Sequence, residues 1–145
     1  MITRLQIVEE ARTWIGTPWK HQARQKGVGT DCIGLVGGVA LAVGLPGADA
    51  WALDQTLHCY GRTPLATMLL PACDRFLRKL TASEVRLADI LLMDFGHGPQ
   101  HFGIVSREDP QYMVHAYAQR RKVVESQVSI PKCKVVGAYS FRGVR

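Results

Sequence analysis

Gly29-Thr30-Asp31-Cys32-Ile33-Gly34-Leu35 is the stretch whose reading decides the fold, because there a glycine-bearing loop runs into a long apolar segment. Residues 19–30 show no hydrophobic period and include Gly27 and Gly29, so they read as loop. From Asp31 or Cys32 to Gly44 the apolar residues go all the way round, the pattern of a central, buried helix. Leu45-Pro46-Gly47 stops it. The glycines inside this helix cost about 1 kcal/mol each against alanine, which implies that another backbone packs closely on it.

That position has a chemical consequence for Cys32. The first turn of a helix presents unpaired backbone N–H groups and partial positive charge. Both favour thiolate over thiol, so the Cys32 pKa is expected to fall below the usual value of about 8.5. The same N–H groups could hold an oxyanion after attack on an acyl carbon. Asp31 or Thr30 is the expected N-cap. A buried structural cysteine is the competing reading. Cys59, Cys73 and Cys133 lack this setting and read as structural, and no pair forms a C-x-x-C motif.

Working outward, residues 3–15 place Leu5, Val8, Ala11 and Ile15 at helical spacing, with Glu9, Glu10 and Arg12 toward the polar side. Gly16-Thr17-Pro18 ends that helix. Residues 48–62 read as irregular. Pro64 suits the first turn of a third helix, with Leu65, Met68, Leu69, Ala72, Phe76 and Leu80 on one face and Pro71 kinking or splitting it. Beyond Ala88 the texture is strand, at 89–95, 101–106, 111–117, 122–128 and 135–141, separated by turn-rich pieces. The expectation is an α+β fold: N-terminal helices packed on an antiparallel sheet of about five strands. A chain of 145 residues is too short for two comfortable cores, so residues 1–145 form a single domain.

A cysteine nucleophile needs an imidazole, and the imidazole needs a third group to fix its tautomer. His101 and His115 lie on consecutive expected strands. A turn near Glu108–Asp109 brings His101 opposite a residue within one or two of His115, close enough on one face for a hydrogen bond. The alternative is a structural role for each. His97 and His101 form H-x-x-x-H, but Gly98 and Pro99 separate them, so they share no helical face and no metal is expected. His21 and His58 read as surface or groove residues.

The net charge of +6 favours a negatively charged partner without choosing among classes. Arg120-Arg121-Lys122 is the densest basic run and reads as a solvated face; no nucleic-acid binding is expected. The apolar stretch at 33–46 falls short of the roughly 20 residues of a membrane span, and the N-terminal MITRLQIVEEARTW has no apolar core of a signal peptide. Neither membrane anchor nor cofactor is expected. Synthesis should end in the cytoplasm, with any export by another route, such as packaging into a particle.

Several segments, in order, resemble the NlpC family of papain-like cell-wall endopeptidases, closest to the branch carried by tailed phages and gene transfer agents. They are Trp14-Ile15-Gly16-Thr17-Pro18-Trp19, the loop into Asp31-Cys32-Ile33-Gly34-Leu35, Ala88-Asp89-Ile90-Leu91, His101-Phe102-Gly103-Ile104-Val105, Val114-His115-Ala116 and Gly137-Ala138-Tyr139-Ser140-Phe141. The resemblance implies Cys32 as nucleophile, His101 as general base and then acid, and His115 as orienter. It implies a peptidoglycan stem peptide as substrate, cut between D-glutamate and diaminopimelate without metal. It also implies a place at a tail tip or baseplate, with hub proteins of that assembly as partners. Trp19, His21 and Asp31 are the expected substrate-binding residues. The sequence departs from the family at Trp19, where tyrosine is common, at Ile33, often serine, and at Ala88, usually glycine. A structural tail component without turnover, or an acyltransferase or lipid-directed amidase, would also fit such a chain.

Overall fold

The computed structural model describes residues 1–53 and 66–145. The readings at His58, Cys59, Pro64 and Leu65 lie outside the described residues, as does the side chain of Met68.

Helix α1 (Arg4–Thr13) opens on a capping box: Thr3 Oγ1 accepts the Gln6 N–H at 3.2 Å, and Gln6 Oε1 accepts the Thr3 N–H at 2.8 Å. Its buried face is Ile7, Val8 and Ala11, continued by Trp14, while Leu5 and Ile15 stay 56% and 44% exposed. The apolar seam is therefore rotated from the expected one. The cause is Trp14, whose ring occupies the place a side chain at Gly38 would take.

Helix α2 (Cys32–Val43) has the expected limits. Asp31 is the N-cap, its Oδ1 accepting the Gly34 N–H at 2.8 Å, and Gly44 closes the helix with φ 78°. Every residue from Cys32 to Ala40 is buried. The close backbone approach implied by its glycines occurs at Gly34, where a Cβ would collide with the carbonyl oxygen of Ala23. Gly37 and Gly38 instead seat the rings of Trp51 and Trp14. Gly34→Ala should therefore destabilise the protein by about 1–3 kcal/mol, although alanine gains about 1 kcal/mol in helix propensity. A urea unfolding curve reads the sign directly; a gain in stability would show that the contact with Ala23 yields freely.

Ala23 belongs to a segment more ordered than the loop expected there. Strands β1 (Arg24–Gln25) and β2 (Gly29–Thr30) form a small antiparallel hairpin, too short for any period to show. The Asp31 N–H donates to Ala23 O at 3.2 Å and the Thr30 N–H to Pro18 O at 2.9 Å, so the approach to Cys32 is held by backbone.

Helix α3 (Ala48–Leu53) replaces the start of the expected irregular stretch, with Ala48 and Trp51 buried. Helix α4 (Ala66–Phe76) runs continuously through Pro71, so the proline does not split it. Pro71 is exposed at the middle of the helix, while Leu69, Ala72 and Cys73 anchor both sides in the core. The helix stops at Phe76, and Leu77–Leu80 is strand β3 rather than a further turn. Leu77 and Leu80 have helical spacing, yet they reach opposite faces of the sheet: Leu77 joins the core under the helices, Leu80 the cluster behind.

Strands β4 (Ile90–Asp94), β5 (Pro99–Glu108), β6 (Gln111–Tyr117), β7 (Lys122–Gln127) and β8 (Lys134–Phe141) complete a six-stranded sheet, one strand more than expected, antiparallel throughout and ordered β3-β8-β4-β5-β6-β7. Ile90, Leu92, Phe102, Ile104, Val114 and Ala116 face the helices. Leu91, Met93, Val105 and Met113 form the second cluster, covered by Val85, Val128, Ile130 and Cys133. Ala88, ahead of β4, holds φ 71°, a conformation that costs a residue with a Cβ about 1–2 kcal/mol and suits the glycine usual there.

Candidate active site

Cys32 is the first residue of α2, and the Asp31 cap fixes where that helix begins. Its side chain lies at the backbone of β5: Sγ–H donates to Gln100 O at 3.8 Å, with the Phe102 N–H nearby. Only 6% of the residue is exposed. That burial, with the negative charge of Asp31 beside it, pushes the thiol up to about 12. The N–H groups of Phe102, Ile33 and Cys32 pull the other way and do not prevail. The expected depression of the thiol pKa is thus reversed. The helix start is where it was expected, but it is dry, and the residue that caps it is an anion.

His101 on β5 and His115 on β6 are both buried. Extending the register that pairs Ile104 with Val114 along β5 puts His101 opposite Tyr117, two places from His115. Across that diagonal His101 Nε2 lies 2.8 Å from His115 Nδ1. Beyond it, His115 Nε2 lies 2.8 Å from Ser126 Oγ on β7, and Ser126 Oγ donates to Gln127 O at 3.3 Å. Burial holds His101 down to about 3, the neighbouring His115 adding to the effect, and burial holds His115 down to about 4. Both rings are therefore neutral near pH 7. Phe95 meets the His101 ring edge-on at 5.5 Å between centroids, and Tyr117 stacks on His115 at 5.0 Å.

Cys32 and His101 line one cleft of about 470 Å³, together with Trp19, Asp31, Phe95 and Tyr117. His115 stands behind His101 and outside the lining. Trp19 and Asp31 of the expected binding residues reach this cleft; His21 does not. Asp31 presents little free carboxylate to it, since Oδ1 accepts from the Gly34 N–H and Oδ2 from the Gln22 N–H, each at 2.8 Å. His97 lines the cleft too, but among the described residues no three of His, Cys, Asp and Glu gather as a metal-ligand set. Nor, among those residues, is any helix long and apolar enough to cross a membrane.

No protein-family profile matches the sequence, and no curated protein matches it. Solved structures do match. The NlpC/p60 domain of the peptidoglycan hydrolase SagA aligns with 97% of this chain and 100% of its own, at TM-score 0.65 and 22% identity. The p60 domain of an antigen from M. avium subspecies paratuberculosis aligns over 94% of this chain and 93% of its own, at TM-score 0.61 and 15% identity. The fold is that of NlpC/p60 domains. An NlpC/p60 family protein from Bacillus cereus matches 96% of this chain at TM-score 0.66 and 16% identity, but the chain spans only 40% of that protein. It likewise spans 47% of NlpC2 from Trichomonas vaginalis.

On this scaffold the hydrogen-bonded series from His101 through His115 ends at Ser126, a residue not singled out from the sequence. Ser126 lies on a strand that was expected, and its signal was in the turn count. His115 pairs with Val124, so Ser126 is two places from the partner of His115, repeating the diagonal that joins His101 to His115. Cys73 is buried and Cys133 half-buried, each packed into a hydrophobic cluster, and neither lines the cleft.

The arrangement has the parts for acyl transfer. A thiol and a neutral imidazole line the same cleft, backbone N–H groups surround the sulfur, and two further polar side chains stand behind the imidazole.

Proposed function

We propose that the chain is a cysteine peptidase that cuts an amide bond in the peptide stems of bacterial peptidoglycan. One observation carries this reading: Cys32 and His101 share a cleft, and His101 is backed by His115 at 2.8 Å. The likeness in fold to the domain of SagA, named a peptidoglycan hydrolase, supports the choice of substrate. Lys132 lines the same cleft and the chain carries a net charge of +6, which suits the carboxylates of a stem peptide.

In this mechanism Sγ attacks the carbonyl carbon as its proton passes to His101. The C–N bond then breaks, and His101 gives that proton to the leaving amine. Water attacks the resulting thioester, releasing the acid and restoring the thiol. The bond between D-glutamate and diaminopimelate is the preferred target. The preferred setting is the tail tip or baseplate of a phage or gene transfer agent, which would carry the protein from the cytoplasm to the envelope and supply its hub partners. Both choices rest on the resemblance of the ordered segments around Trp14–Trp19, Cys32, His101 and His115.

Incubation with defined stem peptides and muropeptides, followed by mass measurement, tests the reading. The expected products are two fragments whose masses sum to the substrate plus one water, with a new amine on the diaminopimelate. Cleavage elsewhere in the stem would correct the bond. No cleavage of any stem would favour a structural component that keeps the fold without turnover.

A further inference from the structure

We infer that Ser126 is a positioning residue that selects the tautomer of both histidines. The proposal rests on the reading of His101 as the base. Three contacts run in series: His101 Nε2 to His115 Nδ1, His115 Nε2 to Ser126 Oγ, and Ser126 Oγ to Gln127 O, at 2.8, 2.8 and 3.3 Å. The last has a fixed direction, because a carbonyl oxygen only accepts. A serine hydroxyl has one proton. If that proton goes to Gln127 O, Ser126 Oγ accepts from His115 Nε2–H. His115 Nδ1 then has no proton and accepts from His101 Nε2–H. The remaining nitrogen, His101 Nδ1, is left with its lone pair.

The reverse polarity fails on two counts. With Ser126 donating to His115 Nε2, the Gln127 carbonyl loses its hydroxyl partner. His115 would then carry its proton on Nδ1, and His101 would carry its own on Nδ1, leaving the nucleophile no acceptor. Only one direction turns all three contacts into hydrogen bonds, and it is the direction that makes His101 a base. With both rings buried and neutral, tautomer choice is a matter of these contacts rather than of solvent. The terminal serine thus sets a proton position two side chains away, from a neighbouring strand.

The experiment compares Ser126→Thr, which keeps a hydroxyl, with the isosteric Ser126→Val, which removes it; a β-branched residue suits this half-buried strand position. Imidazole 15N NMR of the substrate-free protein reads each tautomer, and stem-peptide cleavage reads kcat and KM separately. The native protein and Ser126→Thr are expected to show Nε2–H at both His101 and His115. In Ser126→Val the His115 signals should move toward Nδ1–H, with kcat falling about 10- to 100-fold and KM little changed. Nδ1–H at His115 in the native protein, or unchanged tautomers in Ser126→Val, would overturn the proposal. Because the NMR arm needs no turnover, failure of the peptidase reading leaves it standing. A Ser126→Val protein with native tautomers and native cleavage sinks the serine's role and leaves the peptidase intact.

Discussion

Cys32→Ala is expected to abolish cleavage of stem peptides, lowering kcat/KM by more than about 10⁴-fold, with the fold retained. The substitution removes one atom from a site 6% exposed and leaves the Asp31 cap, the close contact at Gly34 and the histidine pair in place. The N–H groups around the sulfur also remain, so the variant should still bind peptide. What it lacks is the atom that forms the thioester, and no other described cysteine lines the cleft. Cys32→Ser should lose nearly as much. A hydroxyl is a harder group to deprotonate, and burial keeps His101 a weak base. Product masses from both variants, alongside thermal melts, make the measurement. Native rates from Cys32→Ala would remove the mechanism outright.

The second large effect is on stability in mild acid. His101 and His115 are held at about 3 and about 4, against about 6.5 in the unfolded chain. Between those values the unfolded chain binds more protons than the folded one, so stability rises with pH across that window. It is complete above about pH 6.5 and is lost as pH falls toward 4 and 3. Two such groups give a slope of up to about 2.7 kcal/mol per pH unit, against a total stability of about 5–15 kcal/mol for a domain of ordinary size. Melting temperature should therefore be level above pH 7 and fall steeply from pH 6, well before ordinary carboxylates titrate. His115→Asn, which removes one of the two groups, should roughly halve the slope between pH 6 and 5. A level melting curve over that interval in the native protein would contradict the burial of the pair.

The parts legible in the sequence are those set by local chemistry. Asp31 and Gly44 mark the ends of α2 because a carboxylate caps a helix start and a left-handed residue closes its end. Gln111–Tyr117 matches the expected strand residue for residue, and the turn before it was enough to place His115 within reach of His101. The misses involve contacts distant in sequence. The face of α1 depends on a vacancy at Gly38, and strand β3 exists because β8 pairs with Leu77–Leu80, whose spacing alone reads as helix. Ser126 needed the register of two successive hairpins. The reversed pKa of Cys32 needed the extent of its burial, which no helix-start pattern encodes.

That buried, protonated sulfur has a consequence beyond turnover. Peroxide, disulfides and alkylating agents react with sulfur anions, and at neutral pH Cys32 offers them almost none. Cys32 is thus expected to stay chemically quiet while the cleft is empty, reacting with iodoacetamide or peroxide at neutral pH more slowly than an exposed cysteine.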